Sequence, residues 1–222
     1  MPERLRYEVR DGVAVLTLDD GKANAISPQT VSELHACLDR AEGEASAVLL
    51  TGRPGRLSGG FDLKTMGGGP EEVRGLVEAG ARLLLRIYSY PRPVVVACTG
   101  HALAAGAILL LVADQRVGAL GDFKIGLNEV AIGLTLPVFA TELARDRLSK
   151  RHFSAAATQA AIFDPDGAVD AGYLDRTETA EARRLAKLGP AFGHTKRNER
   201  WRTVKYIEDT LDEDMARISG GR

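Results

Sequence analysis

Apolar and polar residues alternate from Tyr7 to Arg10 and again from Val13 to Leu18, with Asp11-Gly12 between them. That pattern predicts a β-hairpin, because an Asp-Gly pair suits the turn and a period of two suits half-buried strands. The period then changes. Val31, Leu34 and Leu38 keep helical spacing behind Ser27-Pro28, a good N-cap and first-turn pair, so residues 27–43 read as an amphipathic helix. Residues 46–52, SAVLLTG, form a short continuous apolar strand, and 52–63, GRPGRLSGGFDL, read as a loop. Residues 71–90 are helical up to Pro91, and PRPVVVACTG at 91–100 is a second buried strand. HALAAGAILLL at 101–111 reads as a helix with no polar face, headed by Ala104, Ala105 and Gly106. A third strand, ADQRVGA, follows at 113–119.

Three times a continuous apolar strand leads through a loop into a helix. The expected core is therefore α/β, a sheet covered on both faces by helices. After Thr177 the chain turns to charged helix, with Trp201 and Tyr206 set among basic residues.

Composition narrows the function classes. The 222 residues carry a net charge of −1, so no global field favours nucleic acid or an anionic membrane. The longest apolar run, near 102–113, is too short to span a bilayer. MPERLRYEVR has no apolar signal segment, so secretion is not expected. Cys37 and Cys98 are expected as free thiols of a reducing cytoplasm, and the four histidines lack metal-ligand spacing.

Three stretches carry candidate chemistry. In RLSGGFDL, Ser58-Gly59-Gly60 would let bare backbone N–H groups approach a ligand, although a plain turn has the same signature. Ser58 as a hydrolase nucleophile is discounted, since Arg56 stands where a nucleophile elbow needs glycine and no histidine partner is evident. At the head of 101–111, small residues leave the first-turn N–H groups open to an incoming oxygen, or merely let the helix pack closely. Two such donors from separate segments would make an oxyanion hole. Glu129, in GLNEVAIGL, is a lone carboxylate among apolar neighbours, and the residues alone do not decide between a solvated edge and a catalyst.

The order LSGGFDL, then PRPVVVACTGHALAAGAILLLVADQRVG, then FKIGLNEVAIGL resembles the crotonase superfamily of enoyl-CoA hydratases and isomerases. NAISPQTVSEL, GYLDRT and HTKR match its pattern as well, so the likeness runs to about Arg197. The resemblance implies a spiral core of repeated ββα turns over residues 1–177. It also implies a C-terminal helical region, 178–222, that assists oligomerisation and lids the pocket. A homotrimer or dimer of trimers is implied, with an acyl-CoA thioester as ligand; coenzyme A enters only as part of that substrate, and no separate cofactor or metal is expected.

Carried over by position, the resemblance makes the N–H groups of Gly59 and Ala105 the oxyanion donors, Gly59 replacing the usual alanine. It sets Lys22, Ala23 and Ala25 with Gly60, Phe61, Asp62 and Leu63 around the CoA moiety, Asp62 more as a structural residue of that loop than as a catalyst. Met66, Ile108 and Leu134 fall in the acyl pocket. Hydratases of the family hold a water between two glutamates. The second aligns with Glu129, but Ile108 stands where the first would be.

One surviving carboxylate is similar to the Δ3,Δ2-enoyl-CoA isomerases, and a double-bond shift needs only one acid–base group. Enoyl-CoA hydratase and a non-catalytic acyl-CoA-binding protein are the alternatives. Asp114 and Asp122 are poor substitutes for the missing acid, the first falling at a structural position of the family. Lys196 is placed by analogy near a CoA phosphate of a neighbouring subunit. Nucleic-acid binding through KRNERWRTVKY is set aside in favour of a solvated, packed helix.

Overall fold

In the computed structural model, residues 4–177 and 190–220 are described. The chain forms two sheets. The larger has the order β1 (Leu5–Arg10), β2 (Val13–Leu18), β3 (Ala47–Gly52), β5 (Val94–Cys98) and β7 (Gln115–Gly118). The smaller has the order β4 (Gly55–Ser58), β6 (Gly100–Leu103) and β8 (Ile125–Gly126). Only the β1–β2 hairpin is antiparallel; the other neighbours run parallel.

The helices are α1 (Pro28–Glu44), α2 (Leu63–Met66), α3 (Pro70–Ser89), α4 (Ala105–Leu111), α5 (Val138–Arg147), α6 (Lys150–Thr158), α7 (Pro165–Ala171) and α8 (Pro190–Gly220). The repeating unit is strand, strand, helix. β3, β5 and β7 each enter the large sheet, and β4, β6 and β8 each follow in the small one before the chain turns helical. This is the crotonase-like ββα spiral that the motifs imply.

Register explains the core. Leu16 pairs with Leu50, and Leu50 with Val96, so one buried row runs across three strands. That row faces the apolar sides of α1 and α3, where Leu34, Leu38, Leu83 and Ile87 are buried in the same cluster. Ser27 caps α1 by accepting from the Thr30 N–H at 3.1 Å, as the Ser-Pro pair predicts.

The single-sheet expectation needs correction. The small-sheet strands have four, four and two residues, too short to show a period of their own, and they lie inside what reads as loop or helix. Thus RLSGGFDL begins in β4. His101 to Leu103, expected as helix, extend β6, and α4 starts only at Ala105. α4 is indeed buried on every side, from Ala105 to Leu111.

α8 packs against α3 and α5 and sends Ile207, Leu211 and Met215 into the same core cluster. It is tied down by charge as well. Lys196 and Arg200, at 3% and 5% side-chain exposure, hold the two oxygens of Asp114 at 2.8 and 3.0 Å. Arg200 also donates to the Tyr88 carbonyl at 2.8 Å and stacks over the Tyr88 ring. Lys196 is therefore an internal anchor rather than a free cation for a CoA phosphate. Burial lowers its pKa, with Arg200 adding to that and Asp114 opposing it. Trp201 and Tyr206 are half-exposed on the same helix.

Candidate active site

The three stretches singled out in the sequence are the three exits of the small sheet. Ser58 pairs with Ala102, and Leu103 with Gly126. Each strand then releases its chain at the carboxyl end: β4 into Gly59–Phe61, β6 into Ala104–Ala105, and β8 into Leu127–Glu129. Parallel strands that end together set their following loops side by side, and such ends are where α/β folds carry ligands.

The first two exits touch. Gly60 has φ +96°, a conformation glycine adopts without steric cost, and a Cβ there would lie 2.9 Å from the Ala104 Cβ and 3.3 Å from the Ala105 nitrogen. Gly106 answers the ambiguity about the small helix head. A side chain at Gly106 would strike the Ser58 carbonyl, so this residue is small for packing. Ala105 is fully buried, and its N–H has no acceptor among the described residues. Close packing by Gly106 and an open donor at Ala105 both hold, one residue apart. Ala104 takes φ +52° and ψ −129° to turn from strand into helix, an uncommon conformation for a residue with a Cβ.

The donor expected at Gly59 is already committed. Its N–H donates to the Ala23 carbonyl at 2.8 Å, and the Gly60 N–H donates to Ser58 Oγ at 3.1 Å. The next amide, Phe61 N–H, has no acceptor among the described residues, although its neighbours pair with Ile26 on both sides. The open donor of this loop is thus Phe61. The Phe61 ring lies against Gly80 of α3, where any side chain would collide with it.

The segment from Lys22 to Ala25 is held beside this loop by residues whose scaffolding role sequence reasoning missed. Asp20 accepts the N–H groups of Lys22, Asn24 and Ala25 at 2.7, 2.8 and 3.0 Å. Asn24, buried with φ +50°, donates its side-chain amide to the Leu18 and Leu57 carbonyls, and its own carbonyl accepts from Ser58 Oγ at 2.7 Å. The Asx-rich run DDGKAN was the available signal. Ser58 is therefore a buried structural hydroxyl, consistent with discounting it as a nucleophile.

Asp62 caps α2 by accepting the Thr65 N–H at 3.0 Å, and Leu63 is exposed. Arg53 donates to the Lys22 carbonyl, and Arg56 comes within 3.9 Å of a Cβ placed on Gly59; the backbone N–H of Lys124 donates to His101 Nδ1 at 2.9 Å. Burial first, then Arg56 and Lys124, holds the His101 pKa below its usual range.

Glu129 is the N-cap of a 3₁₀ turn, Val130–Ile132, and its carbonyl accepts the Ile132 and Leu134 N–H groups at 3.1 and 2.9 Å. Its Oε2 is buried without a hydrogen-bond partner among the described residues. Burial raises the carboxyl pKa, and the N–H groups of Glu129 and Asn128 oppose that only in part. Ile108 is 2% exposed within α4, Met66 packs on the core edge, and Leu134 is exposed beyond the 3₁₀ turn. No group of three or more His, Cys, Asp or Glu suited to a metal occurs among the described residues, and no helix among them is long and apolar enough to cross a membrane.

Comparison with known proteins agrees with this fold. The profile of the enoyl-CoA hydratase/isomerase family matches residues 8–183, and the chain belongs to that family. A crystal structure of an enoyl-CoA hydratase/isomerase family protein from Pseudomonas syringae is 43% identical, with a TM-score of 0.93, over 97% of this chain and 98% of that one. A probable enoyl-CoA hydratase of Bacillus subtilis is 38% identical over 58% of this chain and 50% of its own. Human mitochondrial enoyl-CoA delta isomerase 1 is 30% identical over 77% of this chain and 58% of its own. The chain thus spans half to three-fifths of the length of these two curated relatives.

Proposed function

We propose that this chain is a Δ3,Δ2-enoyl-CoA isomerase that works with one carboxylate. The observation that carries the reading is a buried Glu129 Oε2 without a hydrogen-bond partner among the described residues, together with an apolar, buried Ile108 at the position where the family resemblance sets the other glutamate.

In this reading the thioester oxygen sits between the open N–H groups of Phe61 and Ala105. Glu129 removes a proton from C2 of a 3-enoyl thioester, and the electron pair moves onto the thioester oxygen as an enolate. The enolate collapses with the double bond between C2 and C3, taking the same proton from Glu129 at C4. Atoms and charge balance without water or a second acid. Each oxyanion donor contributes about 2.7–4 kcal/mol in comparable sites. The raised pKa of Glu129 suits a group that must both accept and return a proton near neutral pH. Lys22, Arg53, Arg56 and Lys124 supply positive charge for the phosphates of the CoA moiety, and Ala23, Ala25 and Gly60 supply the close backbone approach.

The hydratase reading is kept because a similar protein carries that name. One paired assay separates them: conversion of a 3-enoyl-CoA against hydration of a 2-enoyl-CoA on the same preparation, with wild type and Glu129→Gln. The proposal expects isomerisation to dominate and to fall by about 10²- to 10⁴-fold in Glu129→Gln, with thioester binding retained. Dominant hydration supports the hydratase instead, binding without turnover on either substrate supports a carrier, and full isomerase activity in Glu129→Gln removes that residue from the chemistry.

A further inference from the structure

The peptide that joins Gly60 to Phe61 carries the open donor of the β4 exit, and its own sequence does little to hold it. Gly59 and Gly60 precede that donor, Gly60 at φ +96°, so the plane can turn at small steric cost. One restraint comes from the backbone. The Gly60 carbonyl accepts the Ile26 N–H at 2.9 Å, and the Asp62 N–H donates to the Ile26 carbonyl at 3.1 Å. In a trans peptide the N–H opposes the carbonyl, so the Phe61 N–H points away from Ile26. The second restraint is a side chain. The Phe61 ring packs on the main core cluster and meets α3 at Gly80. A Cβ built on Gly80 would lie 2.3 Å from Phe61 Cε1 and 2.6 Å from Cζ, so the ring fills the space a side chain would need. Gly80 is buried in mid-helix with Val77 and Leu84, where alanine is the better helix former. Gly75, on the same helix, has nothing within 4 Å of its Cβ position, so the contact belongs to Gly80.

We propose that Gly80 is a positioning residue for the oxyanion site: the notch it leaves in α3 seats the Phe61 ring and thereby fixes the direction of the Phe61 N–H. A seated ring sets the Cα–Cβ direction of Phe61. With the Gly60 carbonyl also held, the tetrahedral Cα leaves the N–H one orientation. The glycine that lets this loop close on Ala104 and Ala105 would otherwise let the amide swing, and the ring restores the rigidity. That rigidity has chemical value, because a donor that must turn to meet a developing enolate stabilises it less than one already aimed. A helix of the outer layer thus acts on the site through one aromatic side chain, without touching the substrate.

The inference rests on the Phe61 N–H being a donor to the thioester oxygen, and the test separates the two ideas. Gly80→Ala displaces the ring, Phe61→Ala removes it, and the double variant puts the new methyl into the space the ring has left. Each is compared with wild type in two measurements: the carbonyl stretch of bound hexanoyl-CoA, isotope-labelled at the thioester carbon, and kcat and KM on a 3-enoyl-CoA. In wild type the stretch should fall on binding, as hydrogen bonds polarise the carbonyl. Both single variants should lose part of that fall, and kcat should drop by about 10- to 100-fold at little cost in KM. The double variant should be no worse than Phe61→Ala, because the notch acts only through the ring. A full carbonyl shift in Gly80→Ala, with a loss of Tm alone, makes the notch a packing feature and overturns the proposal; so do losses that add in the double variant. Should Gly80→Ala fail to fold, Phe61→Ala decides alone, and a full carbonyl shift there is equally fatal. No shift in wild type removes the donor and the proposal with it. The expected shifts in a protein without isomerase activity support the role of Gly80 and defeat only the isomerase reading.

Discussion

Asp114 and Glu129 are both carboxylates withdrawn from water, and the fold treats them in opposite ways. Asp114 follows α4 and is saturated by donors: the Val94 N–H at 2.7 Å, Lys196 at 2.8 Å and Arg200 at 3.0 Å. Among the described residues no cation acts on Glu129, and one of its oxygens is without a partner. Burial is common to both, so burial alone does not mark a reactive group. In the proposed reading, the absence of a countercharge among the described residues does. A saturated carboxylate joins a helix to the core, whereas an unsaturated one keeps an affinity for a proton that a substrate can use.

The largest effect that would break this contrast lies at the structural carboxylate. Asp114→Ala should cost about 3–5 kcal/mol in urea unfolding, since it strands Lys196 and Arg200 as buried unpaired cations. A cost below about 1 kcal/mol would show that water reaches those cations and that α8 is held by its apolar face alone. A smaller effect is expected at Glu129, with a sign set by its raised folded pKa. The stability that a protonated Glu129 retains is present below the unfolded carboxylate pKa and is lost as pH rises through the higher folded value. Glu129→Gln should therefore match wild type in acid and exceed it at neutral pH by about 1 kcal/mol, measured as unfolding free energy against pH. Equal stability at all pH values would mean the carboxylate is solvated after all. The smallest effect tests whether the site also stores strain in its backbone. Ala104→Gly should gain about 0.5 kcal/mol in Tm-derived stability, the relief of a positive φ outweighing the flexibility of glycine.

Much of this contrast was legible in the sequence, and the remainder was hidden for physical reasons. The hairpin at Asp11-Gly12, the capped α1 and the strands of the large sheet carry patterns long enough to read. The small sheet does not, because strands of two to four residues show no period, and so His101 to Leu103 looked like the start of a helix. Glu129 and Ala105 were singled out by the order of motifs. Phe61 was missed as a donor because which amide of Gly59–Gly60–Phe61 stays open depends on Ala23 and Ser58, which take the first two. No spacing rule encodes that. Lys196 was misread because a basic helix predicts a wet surface, whereas its partner Asp114 lies 82 residues away in the chain.

The register of the small sheet has a consequence for how the protein comes into being. Its three strands are separated in the chain by whole ββα turns, so the donors and the base are brought together only by pairings of long sequence range, which form slowly. A chain with the hairpin and α1 in place has the Lys22–Ala25 arm but no site. Recovery of turnover during refolding would therefore report the last ladders to close, and its lag behind recovery of helix signal would time the closing of the spiral.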